Sequence, residues 1–250
     1  MRALIFAAGL GTRLRPLTDT MPKALVPVGG KPLLQWQIEM LQREGIHRMV
    51  VNVHHLGEQI VRFLDMHDRF GCDIQVSDER EQLLDTGGGL RKVMRAHPGT
   101  EPWLALNVDI LSTIRLPELM AAFDPVHDLA RLVVSYRQTA RYLLFDETMV
   151  LRGWTNTTTG AVRPSGLVPT DFQKLAFSGM QVVSPDLLPY MEQMEGDVFS
   201  MIDVYMHVLE QTGSAEGKRL TGFVPDRYEM RDIGKIDQFA EVEQWVRRCF

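Results

Sequence analysis

The chain has 250 residues, of which 45% are hydrophobic and 24% charged, as is ordinary for a soluble globular protein. Its formal net charge of −5, from 27 basic and 32 acidic side chains, argues against a nucleic-acid-binding surface. No apolar run reaches the length of a transmembrane helix, so we expect neither a nucleic acid nor a membrane as partner.

The cysteines and the N-terminus point to a reducing, cytoplasmic location. Cys72 and Cys249 lie far apart in the chain and match no metal or redox spacing. The N-terminal apolar stretch lacks a cleavage site and runs into a glycine loop, so we do not expect it to be a signal peptide. The composition leaves the oligomeric state open, and a homo-oligomer is compatible with it.

The first predicted element is a buried parallel strand over the unbroken small and apolar run at residues 3–8. It ends at Gly9 and Gly11, where residues without a Cβ let the backbone turn sharply and approach a ligand closely. Successive N–H groups in such a turn form an anion-binding concavity. Three cations follow soon after: Arg13, Arg15 and Lys23. This combination predicts a binding site for a polyphosphate.

Other phosphate motifs do not match the loop. The dinucleotide fingerprint requires a third glycine where this chain has Leu14, and the Walker pattern of Gly-Lys-Ser/Thr is absent. A Gly-x-Gly turn alone would favour an ordinary strand-turn with solvated basic side chains, so the phosphate prediction depends on the longer motif quoted below.

Strand and helix patterns alternate with short connections through about residue 110. This alternation predicts an α/β fold with a doubly wound, mostly parallel, Rossmann-like sheet whose ligands lie at the carboxyl ends of its strands. The predicted elements are a helix from Pro32 to Gly45, a strand at 49–53, a helix at 56–66, a strand at 74–76, a helix from 86 to about 96 and a strand at 103–106.

The second half is less regular and predicts a small antiparallel sheet. We find no linker or internal repeat, so we expect a single domain over 1–250 with halves at 1–110 and 111–250. The predicted elements are a strand at 130–135, a hairpin at 142–145 and 149–151, an exposed turn-rich stretch at 153–160, a strand at 176–183, a helix after Pro185, a helix at 202–209, a strand at 220–224 and a last helix carrying Phe239, Val242 and Val246.

Asp109 follows a buried strand in the segment Asn-Val-Asp that begins at Asn107. A carboxylate at this place is either a hydrogen-bonded cap or a ligand of a hard metal ion. Mg²⁺ is usually held by one or two carboxylates together with substrate phosphates. The spacing alone leaves both roles open.

Residues 7–32 carry a long motif, Ala-Ala-Gly-x-Gly-Thr-Arg-Leu-x-Pro-Leu-Thr, then Pro-Lys-x-Leu-x-Pro-Val, then Lys-Pro. This string resembles the signature of the sugar-1-phosphate nucleotidyltransferases. The resemblance implies a GT-A-like nucleotidyltransferase fold and an enzyme that joins a nucleoside triphosphate to a sugar 1-phosphate, with release of pyrophosphate. It also implies Mg²⁺ as cofactor and places the small antiparallel sheet on the acceptor side.

The resemblance implies a role for each candidate residue. Arg13 and the loop amides are expected to hold the leaving phosphates, and Lys23 to neutralise charge at the α-phosphate, which makes both side chains catalytic. The implied nucleotide site comprises Ala8, Gly9, Gly11, Thr12, Arg13, Lys23, Glu81, Thr86 and Gly87; the sugar-phosphate site Asn107, Ser178 and Gly179; and the metal site Asp109 and Asp232.

The chain departs from the family pattern in several places. The family has Gly or Ser where Val108 precedes Asp109. Asp232 matches the family's second metal ligand, but Lys235 replaces the usual Thr, and a cap of the final helix is the alternative role for this Asp. Residues 177–180 resemble the family's Phe-Ser/Thr-Gly-Ile strand, although the usual Glu-Lys-Pro before it is missing.

The glycine run at 87–89 opens a predicted helix. A flexible N-cap is one explanation, but three successive glycines carry an entropy cost. Bare backbone there would let a planar base approach and hydrogen-bond to main-chain groups, and the family places its base-recognition loop here.

The segment Leu-Asp-Thr-Gly-Gly-Gly at 84–89 is most similar to the branch that uridylylates N-acetylmuramate 1-phosphate. UTP and that sugar are therefore the first hypothesis. Guanylyl transfer to mannose or heptose 1-phosphate and a sugar-nucleotide sensor without turnover are the alternatives. Retention of both cations and both carboxylates argues against the sensor.

Overall fold

The computed structural model describes residues 1–212, 217–234 and 239–249. The chain forms an α/β fold with a mixed, mostly parallel central sheet, helices and small antiparallel sheets, which confirms the predicted class. It divides into two compact units. Unit 1 comprises Met1–Leu84, Ala105–Ile114 and Tyr228–Phe250, and unit 2 comprises Asp85–Leu104 and Arg115–Arg227. In the part of the chain that is described, no helix has both the length and the apolar character needed to cross a membrane.

The helices and strands follow the predicted order, with several short additions. The strands are β1 (Arg2–Phe6), β2 (Pro27–Val28), β3 (Lys31–Pro32), β4 (Arg48–Val53), β5 (Asp73–Asp78), β6 (Trp103–Asn107), β7 (Ile110–Ser112), β8 (Asp128–Ser135), β9 (Arg141–Phe145), β10 (Leu151–Asn156), β11 (Val162–Arg163), β12 (Gln173–Val183), β13 (Arg219–Phe223) and β14 (Met230–Asp232). The helices are α1 (Leu17–Thr20), α2 (Leu33–Arg43), α3 (Gly57–Met66), α4 (Asp85–Ala96), α5 (Leu116–Ala122), α6 (Leu188–Glu192), α7 (Met201–Thr212) and α8 (Phe239–Cys249).

The sheet of unit 1 has the strand order β6-β1-β4-β5. β1 pairs parallel with β4, and β4 pairs parallel with β5. The three central residues of β1, Ala3–Ile5, are completely buried, which explains why this strand is an unbroken apolar run. Because parallel strands end at one edge, the segments after β1, β4 and β5 are brought together there.

The C-terminal segment completes unit 1. β14 pairs antiparallel with β7, with Asp232 opposite Ile110. The indole N–H of Trp245 on α8 donates to the Glu229 carboxylate at 2.9 Å, which fixes the helix to the segment before β14. The predicted boundary between the halves 1–110 and 111–250 falls inside unit 1, which includes Ala105–Ile114. The single-domain organisation stays a prediction.

Unit 2 contains the antiparallel strands. β8 and β9 both pair antiparallel with β12, β10 joins β9 and β11, and β13 adds a parallel strand beside β8. The prediction of an exposed turn over 153–160 is wrong for its first half, because β10 continues to Asn156 with Gly153 and Thr155 buried. Alternate residues of a strand face the core, so a run rich in threonine and glycine is compatible with a half-buried strand.

The packing of α8 on the turn between β2 and β3 can be tested with two neighbouring glycines. Gly29 and Gly30 have φ of 59° and 85°, but a Cβ on Gly29 would lie 2.6 Å from Val246 Cγ1, whereas one on Gly30 would meet nothing within 4 Å. Both alanine variants carry a left-handed backbone cost of about 1–2 kcal/mol. Only Gly29→Ala adds an overlap costing about 1–3 kcal/mol. We expect a clearly lower urea midpoint for Gly29→Ala than for Gly30→Ala. Equal midpoints would contradict this packing.

Candidate active site

The loop after β1 is shaped by Gly11. Its φ is 64°, and a Cβ there would lie 2.8 Å from Thr18 Cγ2 and 3.1 Å from Lys23 Cβ. The Thr18 hydroxyl donates to the Gly11 carbonyl at 2.9 Å and holds the turn closed. Gly9 differs, because a Cβ at that position would meet nothing within 4 Å. The absence of a side chain at Gly9 leaves open space in front of the backbone.

The N–H groups of the loop fall into two sets. Those of Ala7 and Ala8 donate to Asn52 Oδ1 at 2.6 and 3.2 Å. Within the described ranges, the N–H groups of residues 9–11 donate to no protein acceptor. The predicted nucleotide contact of Ala8 would therefore have to use a group other than its N–H. The N–H groups of residues 9–11 are available for an anion, and their phosphate-binding role stays a prediction.

Lys23 and Asp109 form an ion pair in unit 1. Lys23 lies on a short 3₁₀ turn, Lys23–Leu25, and its ammonium contacts Asp109 Oδ2. The two side chains are only 9% and 19% exposed. The polypeptide around Asp109 is fixed from two sides: the N–H of Val108 donates to the Phe6 carbonyl at 3.1 Å, and Gln37 Nε2 donates to the Ile110 carbonyl at 2.7 Å.

The departure at Val108 is explained by its surroundings. Its side chain is 4% exposed, so an apolar residue at this position packs into the core of unit 1. Asn107 is the last residue of β6 and Asp109 follows in the turn before β7, so the expected polar pair at the end of this strand is retained.

Asp232 lies on β14, beside Asp109. The N–H of Ile233 donates to the Asp109 carbonyl at 2.8 Å, so the end of β14 that carries Asp232 lies against the turn that carries Asp109. Asp232 Oδ1 is buried, and within the described residues it has no hydrogen-bond partner. A buried carboxylate oxygen without a partner is costly unless a ligand satisfies it. Lys235 lies outside the described residues.

The side chains of Arg13 and Asp232 both lie close to Gly234. A Cβ on Gly234 would lie 2.8 Å from Asp232 Oδ1 and 3.0 Å from Arg13 Cζ. The exposed guanidinium of Arg13 therefore rests against the backbone of Gly234, next to the carboxylate oxygen. The neighbouring Thr12 lies at the start of a 3₁₀ turn, Thr12–Leu14. Two cations and two carboxylates are thus gathered around the loop in unit 1.

The two carboxylates fit a hard metal ion that arrives with phosphate ligands. Among the described residues, no group of three or more His, Cys, Asp or Glu side chains is arranged to hold a metal ion. Mg²⁺ does not require such a cage, because it commonly uses one or two carboxylates, water and substrate phosphates. The unsatisfied oxygen of Asp232 beside Asp109 is compatible with this mode of binding.

Packing explains the first glycine of the run in α4, which lies in unit 2. The N–H groups of Gly87 and Gly88 both donate to the Phe199 carbonyl, at 2.9 and 3.1 Å. A Cβ on Gly87 would lie 2.5 Å from the Phe199 ring. The hydroxyl of Thr86 accepts the N–H of Met201 at 3.1 Å. The missing side chain at Gly87 is therefore accounted for without a bound base, while the N–H groups of Gly87 and Gly88 already have an acceptor. The nucleotide roles of Thr86 and Gly87 stay predictions.

Sequence reasoning selected Glu81 and overlooked Asn52 and Glu79. Glu81 is exposed in unit 1. Glu79 is 2% exposed, and its carboxylate accepts the Asn52 side-chain N–H at 2.8 Å. A signal was present, since Asn52 interrupts the apolar run of β4 between Val51 and Val53. A polar residue inside a buried strand requires a hydrogen-bond partner.

Ser178 and Gly179 lie on a bulge of β12 in unit 2. The pairing with β8 shifts between Phe177 and Gln181, and Gly179 has a φ of 70°. Arg137, which follows β8, donates to the Phe177 carbonyl at 3.0 Å and was not selected from the sequence. Bulges redirect side chains and are common beside binding sites, so the position suits the predicted contact with a sugar phosphate.

Comparisons with known proteins agree with the N-terminal motif. The model of the family described as nucleotidyl transferase matches residues 2–142, more than half of the chain. The N-acetylmuramate alpha-1-phosphate uridylyltransferase of Neisseria meningitidis serogroup B is 40% identical over 129 residues, which are 52% of this chain and 54% of the relative. A probable mannose-1-phosphate guanylyltransferase 1 of Oryza sativa subsp. japonica is 38% identical over 122 residues, which are 48% of this chain and 34% of the relative.

The matched segment thus spans about half the length of the first relative and about a third of the second. A solved structure of a putative glucose-1-phosphate thymidylyltransferase from Bacillus anthracis, in complex with a sucrose, is similar to this fold. Its TM-score is 0.78 at 16% identity, with 99% of this chain and 95% of that chain covered. The family match and the relatives confirm the resemblance inferred from residues 7–32. This chain belongs to the nucleotidyl transferase family, to which its N-terminal motif pointed.

Proposed function

We propose that the protein transfers a nucleoside monophosphate from a nucleoside triphosphate to a sugar 1-phosphate and releases pyrophosphate. The observation that carries the proposal is the cluster in unit 1: open amides at 9–11, the cations Arg13 and Lys23, and the carboxylates Asp109 and Asp232. The amides and the cations can bind a polyphosphate, and the carboxylates can bind a metal ion that the phosphates carry.

The chemistry is an in-line displacement at the α-phosphorus. A phosphate oxygen of the sugar phosphate forms the new P–O bond, and the bond to the β-phosphate breaks, so that pyrophosphate leaves. Arg13 and the loop amides bind the leaving phosphates, and the ammonium of Lys23 offsets the charge around the α-phosphate. Catalysis then comes from positioning and electrostatic stabilisation.

Asp109 and Asp232 would hold Mg²⁺. When bound, the ion supplies positive charge that neutralises phosphate oxygens and orients the reacting groups. Lys23 already contacts Asp109, so the carboxylate is partly neutralised in the free protein. Nucleotide phosphates give the ammonium a second anionic partner, and its transfer to them would free Asp109.

For the substrates we propose UTP and N-acetylmuramate 1-phosphate. The name of the Neisseria relative and the segment at 84–89 support this choice. N-acetylmuramate carries a carboxylate on its lactyl group, and Arg137 beside the bulge of Ser178 offers a cation for an acidic acceptor. Guanylyl transfer to mannose or heptose 1-phosphate is the second candidate, supported by the Oryza relative.

Pyrophosphate release tests the function directly. Each of the four common ribonucleoside triphosphates is combined with a panel of sugar 1-phosphates, with and without a carboxylate. We expect the highest kcat/KM for UTP with N-acetylmuramate 1-phosphate. Arg137→Gln is expected to lower kcat/KM for the acidic sugar about tenfold, the size of one lost charge-assisted contact, and to change it little for neutral hexose phosphates. No pyrophosphate with any pair would refute the proposed activity.

The metal ligands are tested by charge removal without loss of volume. Asp109→Asn and Asp232→Asn are each expected to lower kcat by roughly 100-fold or more, because a metal ion contributes several kcal/mol of charge stabilisation. Thermal unfolding checks that both variants stay folded. Asp73→Asn, at an exposed position on β5, is the matched control and should keep wild-type turnover. Wild-type turnover of Asp232→Asn at saturating Mg²⁺ would remove Asp232 from the metal site.

Lys23 is tested by its effect on two quantities: we expect kcat to fall and the affinity for Mn²⁺ to rise. Lys23→Gln is expected to lower kcat more than it raises the KM for nucleotide, because the charge matters most in the transition state. In the free protein, the same change leaves Asp109 without its internal cation. Mn²⁺ binding, measured by electron paramagnetic resonance without nucleotide, should then tighten about tenfold, since the lost competing hydrogen bond between charged groups is worth roughly 1.5 kcal/mol.

Lys31→Gln is the control for Lys23→Gln. Lys31 also lies in unit 1, but its ammonium pairs with Glu39 at 2.6 Å. We expect this variant to leave both kcat and Mn²⁺ affinity unchanged. Unaltered Mn²⁺ affinity in Lys23→Gln would show that the ammonium does not compete for Asp109.

A further inference from the structure

A buried amide and a buried carboxylate lie in contact beside the loop after β1, whose open amides at residues 9–11 define what we call the phosphate loop. Asn52 on β4 and Glu79, the residue after β5, are each 2% exposed. Burial of an amide and a carboxylate is unfavourable unless their polar atoms are hydrogen-bonded. The partners of these two side chains therefore show which parts of the polypeptide they hold.

The side chain of Asn52 takes over as hydrogen-bond acceptor where the backbone pairing of β1 with β4 ends. The last register pair of β1 and β4 is Phe6 with Asn52. Beyond it, Asn52 Oδ1 accepts the N–H groups of Ala7 and Ala8 at 2.6 and 3.2 Å. The side chain thus satisfies two donors of the departing strand, and the open amides at 9–11 follow directly.

Glu79 links the same amide to a second loop. Asn52 Nδ2 donates to Glu79 Oε1 at 2.8 Å, and the other carboxylate oxygen accepts the N–H of Leu84 at 3.1 Å. The N–H of Glu79 itself donates to the Val53 carbonyl at 2.8 Å. Both ends of the segment 79–84, which contains Glu81, are therefore tied to β4 and to the residues before the phosphate loop.

We propose that Asn52 and Glu79 are positioning residues for the nucleoside triphosphate. They touch no reacting atom. Their hydrogen bonds hold the start of the phosphate loop and the segment 79–84 in one arrangement before the ligand arrives. Preorganisation of this kind raises affinity because less ordering is required on binding. The inference rests on the proposed function, since it assigns these residues to the nucleotide of that reaction.

The pair allows a test by exchange of donor and acceptor. Asn52→Asp keeps an acceptor for Ala7 and Ala8 but removes the donor to Glu79 and sets two carboxylates against each other. Glu79→Gln keeps an acceptor for Leu84 but removes the charge that Asn52 contacts. In the double variant Asn52→Asp with Glu79→Gln, the glutamine amide can donate to the carboxylate introduced at position 52, and each polar atom again has a complementary partner.

Binding of each of the four nucleotides with Mg²⁺, without acceptor, is measured by titration calorimetry on the full chain. We expect each single variant to weaken the Kd of the bound nucleotide about tenfold, the effect of losing one hydrogen bond to a charged group. The double variant is expected to recover to within about threefold of the wild type, since the pair interaction is restored. Calorimetry is done well below the unfolding temperature of every variant.

The control separates positioning from stability. Thr221→Val in unit 2 removes a hydroxyl that donates to the buried Asp128 carboxylate at 2.9 Å. It therefore also loses a buried hydrogen bond to a carboxylate, and we expect lower thermal stability with unchanged nucleotide affinity.

Each other outcome would overturn the inference. Single variants that bind nucleotide as tightly as the wild type would show that the pair only stabilises the fold. A double variant as weak as the single variants would show that hydrogen-bond complementarity is not the cause. A wild-type protein that binds none of the four nucleotides would refute the proposed function and this inference with it, whereas tight wild-type binding with unaffected variants would refute the inference alone.

Discussion

One ion pair, between Lys23 and Asp109, joins the loop after β1 to the turn after β6 and is largely withdrawn from water. Removal of two charges from water is costly, and the attraction offsets this cost only when the geometry is well maintained. Gly11 permits the close approach of Lys23 to the loop, because any side chain there would crowd its Cβ. On the other side, Gln37 and the backbone of Phe6 hold the turn that carries Asp109.

In the proposed function, this ion pair also lets a site of few residues accept a highly charged substrate. The free protein already balances one carboxylate with one ammonium, while Asp232 keeps a buried oxygen that no described residue satisfies. In the proposed function, a triphosphate with its metal ion would bring both charges at once, so that the ammonium and the carboxylates would each gain a new partner. The proposed function therefore links metal and nucleotide binding without a preformed metal cage.

The glycine run shows how packing and ligand binding can produce the same pattern in a sequence. Gly87 has no room for a Cβ because the Phe199 ring and carbonyl occupy that space. Its N–H and that of Gly88 are used by the same carbonyl. The family resemblance placed base recognition at this run. The segment 79–84, which precedes the run in sequence, is held by hydrogen bonds of Glu79 to Asn52 and to the N–H of Leu84. The N–H groups of Gly87 and Gly88 are thus already used within unit 2, and base recognition at the run stays a prediction.

The sequence by itself determined the α/β class, most helices and strands, and the membership in the nucleotidyl transferase family. These features depend on local patterns: an apolar strand followed by Gly-x-Gly and basic residues, alternating strands and helices, and a specific motif over residues 7–32. Short strands such as β7 and β14 were missed, since three residues carry too little periodicity to stand out.

Only the tertiary structure decided how distant residues meet. The resemblance named Asp109 and Asp232 as one metal site, but it is the pairing of β7 with β14 that brings Asp232 beside Asp109, although 123 positions separate them by number (232 minus 109). The same holds for Asn52, whose amide connects β1 to Glu79. Such contacts depend on long-range strand pairing and on the need of every buried polar group for a partner, and neither is encoded in the spacing of neighbouring residues.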